Sequence, residues 1–131
     1  MTKYLLDTHI LLWHSEDNRQ LSTDILTRIS SPDSSLFVSQ ASYWELTIKK
    51  SLGKLDLSVS VQAFCQSAIE NSFQTLAIQT EHFACLEALP LLHSDPFDRM
   101  IIAQAISEHM VVITQDQKFR FYEGMVDILW N

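Results

Sequence analysis

The chain has 131 residues, 47% of them hydrophobic, and a formal net charge of −7 at neutral pH. That length supports a single domain over residues 1–131 with a sizeable core, and no linker, internal repeat or low-complexity stretch divides it. The acidic balance argues against loose, charge-driven nucleic-acid binding. No apolar run reaches membrane-spanning length, and the N-terminal one breaks at Asp7, which excludes a secretory signal and leads us to expect a cytoplasmic protein.

In chain order, strand and helix patterns alternate. Residues 3–7 read as a strand and 9–16 as a short helix. Ser22 caps a second helix bearing Ile25, Leu26 and Ile29, with Leu21 placed to staple onto Leu26. Leu36-Phe37-Val38 is the next strand, followed by a helix through Glu45 that Gly53 ends. Val61, Phe64, Cys65, Ala68 and Ile69 mark another helix, Phe73 to Ile78 a strand, and Thr80 caps a helix carrying Phe83 and Leu86. Asp95 followed by Pro96 is a strong helix start, an N-cap with proline at the first helical position. A strand at 110–114 and a terminal one from Val126 to Leu129 complete the set. Strands separated by helices require crossovers, hence a mainly parallel sheet with helices on both faces. The two glycines form neither a GxGxxG nor a P-loop, which argues against a nucleotide cradle. Cys65 and Cys85 lie in helical patterns without a CxxC, as small core hydrophobes do, and the histidines at 9, 14, 82, 93 and 109 show no metal-ligand spacing.

Four acids stand where apolar runs break: Asp7, Glu45, Asp98 and Asp116. Asp7 and Asp116 follow β-type runs, and open α/β sheets bind ligands outside the carboxyl ends of their strands. Glu45 shares a helix face with Ala41, Trp44, Ile48 and Leu52, and Asp98 shares one with Ile101, Ile102 and Ala105, so both interrupt stripes expected to face the core. Each acid also has an ordinary structural reading. Asp7 can cap the helix after it, Glu45 can pair with Lys49 one turn on, Asp98 suits the first turn of a helix, and Asp116 can be a turn residue. As a set they point further, because neighbouring buried carboxylates need a cation, and oxygen ligands of this kind suit Mg²⁺ or Mn²⁺.

The succession LLDTHILLW, VSQASYWELTIKKSLGKL, LPLLHSDPFDRMIIAQA, VVITQD and a terminal ILW resembles PIN-domain proteins of the VapC toxin type, over essentially the whole chain. The resemblance implies an α/β/α domain with a parallel sheet ordered 3-2-1-4-5, acting as a Mg²⁺- or Mn²⁺-dependent endoribonuclease on RNA. It also implies a small antitoxin as partner and a homodimer. Carried over by position, the family's acidic metal site falls on Asp7, Glu45, Asp98 and Asp116, and Thr114 stands where the family has a Ser or Thr that adds a hydroxyl. Gln115 departs from the smaller residue common at its place.

Phosphodiester hydrolysis needs an activated water and stabilisation of the charge growing on phosphate, both of which divalent ions supply. On this reading Asp7 and Asp98 are direct ligands, Glu45 a ligand or an orienter of water, and Asp116 a second-metal or water-mediated ligand. Lys49, Lys50, Lys54 and Arg99 are available for phosphate contacts, although such cations more often form a solvated helix face. Two other classes compete. One is a catalytically silent interaction domain of the same fold, which metal-dependent cleavage would exclude. The other is a receiver-like Mg²⁺-binding domain for phosphoryl transfer, which needs an acid pair near the N-terminus and a lysine after a late strand; the chain has Asp7 alone and Gln115-Asp116 there.

Overall fold

A computed structural model describes all of residues 1–131. Five strands, β1 (Thr2–Leu6), β2 (Ser34–Ser39), β3 (Phe73–Leu76), β4 (Val111–Thr114) and β5 (Ile128–Trp130), form one sheet of order β3-β2-β1-β4-β5. Every pairing is parallel, as the intervening helices require. The helices are α1 (Thr8–Ser15), α2 (Thr23–Ser30), α3 (Gln40–Ser51), α4 (Val61–Glu70), α5 (Thr80–Ala88) and α6 (Pro96–Glu108), with a 3₁₀ segment at Gln117–Tyr122.

The two-residue period of the strands divides the core into two layers. Tyr4, Leu6, Leu36, Val38 and Ile113 point to one face, where Ile10 and Leu11 of α1, Ile25 and Ile29 of α2 and Phe64 of α4 cover them. Leu5 and Val112 point to the other, beneath Ile101, Ile102 and Ala105 of α6 and Phe119 and Tyr122 of the 3₁₀ segment. The result is the expected three-layer α/β/α arrangement.

Helix ends follow local chemistry. Asp7, Ser22, Ser39, Ser60 and Asp95 are N-caps whose side chains accept backbone N–H groups, and Pro96 opens α6. Gly53, at φ +70, closes α3: its N–H donates to the Lys50 carbonyl and that of Lys54 to the Lys49 carbonyl, the paired bonds of a left-handed C-cap.

Three expectations require correction. Trp44 and Leu52, expected on the inward face of α3, are each 61% exposed; Ala41, Ser42, Glu45 and Leu46 are buried instead. A step of about 100° per residue puts Trp44 at the edge of the stripe, where its ring meets Phe97 edge-on at 5.4 Å. Leu21 is buried in the core with Ile25 and Ile29, but Leu26 stays largely exposed, so it anchors little as a staple. Helix α5 is capped at Gln79, one residue before Thr80, because His82 Nδ1 accepts the Gln79 N–H at 2.9 Å; Phe83 then faces outward.

Candidate metal centre

The chain leaves β1 to build β2 and β3 on one side, then returns to place β4 on the other, which makes the carboxyl ends of β1 and β4 the switch point of the sheet. Asp7 begins there, its N–H donating to the Ile113 carbonyl at 2.9 Å. Thr114 ends β4 beside it. From the helical layer, α3 and α6 pack together and bring in Glu45 and Asp98. All three of these acids are buried, and Asp116 is half-buried.

The carboxylates are held from several directions. Asp7 Oδ1 accepts the Thr8 N–H at 2.7 Å and Oδ2 accepts the Thr114 hydroxyl at 2.8 Å. Thr114 Oγ1 in turn accepts the Asp116 N–H at 3.0 Å, tying the two strand-end acids through one hydroxyl. The Thr8 hydroxyl donates to Glu45 Oε1 at 2.9 Å, so Thr8 bridges Asp7 and Glu45. Glu45 Oε2 lies 3.0 Å from Lys49 Nζ, the pair expected from the helical spacing, although Glu45 itself is buried. Asp98 Oδ2 lies 2.9 Å from His93 Nε2. Asp116 caps the 3₁₀ segment by accepting the Lys118 N–H. Thus Asp7 and Asp116 act as caps while also lying in the acidic cluster.

Electrostatics register the convergence. Burial pushes the Asp98 carboxyl up to about 8, and the charges of Asp7, Asp95, Glu45 and Asp116 push the same way. Burial likewise raises Asp7 to about 6, against hydrogen bonds from Thr114 and Thr8 and the nearby His9, which favour its ionised form. Asp98 therefore senses the charges of acids from distant parts of the sequence.

The donor set is all oxygen, carboxylates with two threonine hydroxyls behind them, and suits a hard divalent cation. No three His, Cys, Asp or Glu side chains gather closely enough to hold a metal ion by themselves, whereas Mg²⁺ needs only one or two carboxylates and keeps several waters. Asp7 and Asp98, both buried and both raised, are residues that could hold such an ion.

The flanking cations are less available than their spacing suggested. Lys49 pairs with Glu45, Lys50 Nζ donates to the Val59 carbonyl at 2.6 Å, and Arg99 Nη2 donates to the Leu89 carbonyl at 3.0 Å. Lys54 is exposed. Two residues absent from the sequence-derived site are in contact with it: Thr8 and His93. The first was legible only as part of a capping signal, and the second was set aside because the histidines have no ligand spacing.

Fold and site together define an α/β/α protein with a cluster of acids at the switch point of a parallel sheet. The chain belongs to the PIN domain family, whose sequence model matches residues 4–124. It is 31% identical over 121 residues to Ribonuclease VapC22 of Mycobacterium tuberculosis, covering 92% of each chain. Its fold is similar to that in VapBC2 from Rickettsia felis bound to a DNA fragment from their promoter, with a TM-score of 0.75, 14% identity and 98% of each chain covered. It is also similar to that in VapBC-1 from nontypeable Haemophilus influenzae, with a TM-score of 0.70, 19% identity and coverage of 98% of this chain and 97% of the other.

Proposed function

We propose that the protein is an endoribonuclease of the VapC toxin type that cleaves RNA phosphodiesters with Mg²⁺ or Mn²⁺ at Asp7, Glu45, Asp98 and Asp116, residues 1–131 working as one catalytic unit. The observation that carries the reading is the convergence of Asp7, Glu45 and Asp98, all buried, with Asp116 beside them, at the position where an open α/β sheet takes its ligand, with the Asp98 and Asp7 carboxyls raised by that burial. The similarity to a ribonuclease at 31% identity supports the substrate. No helix is long and apolar enough to cross a membrane, which agrees with a cytoplasmic site of action.

A bound divalent ion supplies an activated water and neutralises charge developing on the phosphate. The protein's part is to present oxygens in fixed directions. Thr114 and the Thr8 N–H hold both oxygens of Asp7, so its carboxylate cannot rotate away from the cluster. Glu45, fixed at Oε1 by Thr8, keeps Oε2 toward Lys49 and can orient the attacking water or accept its proton. The link from Asp116 to Asp7 through Thr114 supports a water-mediated or second-ion role for Asp116. Lys49, Lys54 and, once released from their carbonyl partners, Lys50 and Arg99 are candidates for the RNA backbone.

The VapBC character of the structural neighbours supports a small antitoxin as partner. An Arg from that partner, entering the cluster near Asp7 and Asp98, would meet two buried acids with charge-assisted bidentate geometry and exclude the cation. A homodimer of the toxin is part of the same proposal. The deciding test is cleavage of total RNA by purified protein with Mg²⁺ or Mn²⁺ and with chelator. Cleavage lost in chelator and in Asp7→Asn is expected; undiminished cleavage in either would refute the assignment.

A further inference from the structure

We propose that His93 is a positioning residue for this site, an N–H donor that fixes the direction of Asp98; the inference rests on the metal-dependent reading above.

The imidazole is 7% exposed, with Nε2 at 2.9 Å from Asp98 Oδ2. Its other nitrogen bears on which atom carries the proton. Nδ1 faces the backbone N–H of Asp95 at 3.5 Å, a long contact but one with a single sense, because a backbone N–H can only donate. Nδ1 therefore presents its lone pair, and the ring proton lies on Nε2, aimed at the carboxylate.

The ring is itself held by its loop. The Tyr122 hydroxyl, on a fully buried side chain, donates to the Pro90 carbonyl at 2.8 Å and accepts the Leu92 N–H at 3.1 Å. Arg99 fastens the Leu89 carbonyl from α6. On the far side, Asp95 Oδ1 accepts the N–H groups of Phe97 and Asp98. The start of α6 is thus already capped by Asp95 and Pro96, and His93 is not required to form the helix.

What His93 adds is control of the acid. The protein's hydrogen bonding to this carboxylate goes to Oδ2, which leaves Oδ1 without a protein partner and free to take a ligand. Outer partners that orient a ligand in this way are commonly worth about 10–100-fold in metal affinity or activity.

The experiment compares His93→Gln, whose amide N–H reaches about as far as Nε2, with His93→Leu, which fills the space without a donor. Mn²⁺ binding is measured by titration calorimetry, and RNA cleavage is resolved into kcat and KM. The Leu variant is expected to bind Mn²⁺ about 10–100-fold more weakly and to lose kcat while KM for RNA stays within about threefold; Gln should restore both to within about threefold of wild type. Wild-type Mn²⁺ affinity and kcat in the Leu variant would overturn the inference while leaving the nuclease reading intact, whereas a wild-type protein that neither binds Mn²⁺ nor cleaves RNA would overturn both. Should the Leu variant fail to fold, the nitrogen NMR spectrum of the Mg²⁺-loaded wild type decides. A proton on His93 Nε2, hydrogen-bonded to Asp98, is expected, and an Nε2 without a proton overturns the proposal.

Discussion

Replacing Asp98 by Asn removes a charge that the folded chain holds at a cost, and the size of that cost sets a measurable pH dependence. The carboxyl is 6% exposed and is pushed from an ordinary value of 3.8 up to about 8. Because the folded value lies above the unfolded one, the stability associated with the protonated carboxyl is fully present below about pH 4 and is lost as pH rises toward 8. Each unit in that window removes up to about 1.4 kcal/mol, which caps the whole effect at roughly 6 kcal/mol. Asp7, raised to about 6, titrates inside the same window, and the two acids influence each other. Relieving one also relieves the other, so the ionisation costs are shared and not simply additive. We therefore expect Asp98→Asn to be more stable than wild type by roughly 2–4 kcal/mol at pH 8 in chelator, on the order of 10 °C in Tm, with the difference shrinking toward zero near pH 4. Thermal melting of both proteins from pH 4 to 8 is the assay. Parallel curves, or a variant less stable than wild type at pH 8, would refute the claim that Asp98 is held among other buried acids.

Divalent metal should offset that difference: Mn²⁺ stabilises wild type by mass action, by about 2.7 kcal/mol at a hundredfold and about 4.1 kcal/mol at a thousandfold excess over Kd, read as a rise in Tm, and gives Asp98→Asn much less. Thr114→Val removes the hydroxyl between Asp7 and Asp116, so urea unfolding should show a loss of about 1–2 kcal/mol, and RNA cleavage should fall at least about tenfold. Gly53→Ala tests the α3 terminus alone: a Cβ there meets nothing within 4 Å, so the expected loss is the roughly 1 kcal/mol strain of a left-handed residue, read by thermal melting with cleavage unchanged.

The alternation of strand and helix was legible because each element carries its own local signal: a cap, a proline, a terminal glycine, or a stripe of one period. Parallel pairing followed from the crossovers, while the particular strand order came from the family resemblance. Glu45 and Asp98 stood out as acids inside apolar stripes, and both are buried where those stripes turn inward. Trp44 was misplaced because a helical stripe has edges, and one residue of rotation separates a buried Glu45 from an exposed neighbour. Thr8 and His93 were hidden for a different reason. Their contacts join Thr8 to Glu45 across 37 positions and His93 to Asp98 from outside the helix, and neither pairing leaves a periodic mark. The perturbation of Asp98 is likewise a property of assembly, since three of the four acids that raise it come from other elements of the fold.

If the acids beyond the ends of β1 and β4 and those on α3 and α6 form one cation site, anomalous scattering from crystals of the wild-type protein soaked in Mn²⁺ will show a manganese peak among them. The expected peak is bonded to carboxylate oxygens of Asp7 and Asp98, with Glu45 or Asp116 reached directly or through water, and is missing in Asp7→Asn. Manganese bound only elsewhere, or a peak that persists unchanged in that variant, would contradict it.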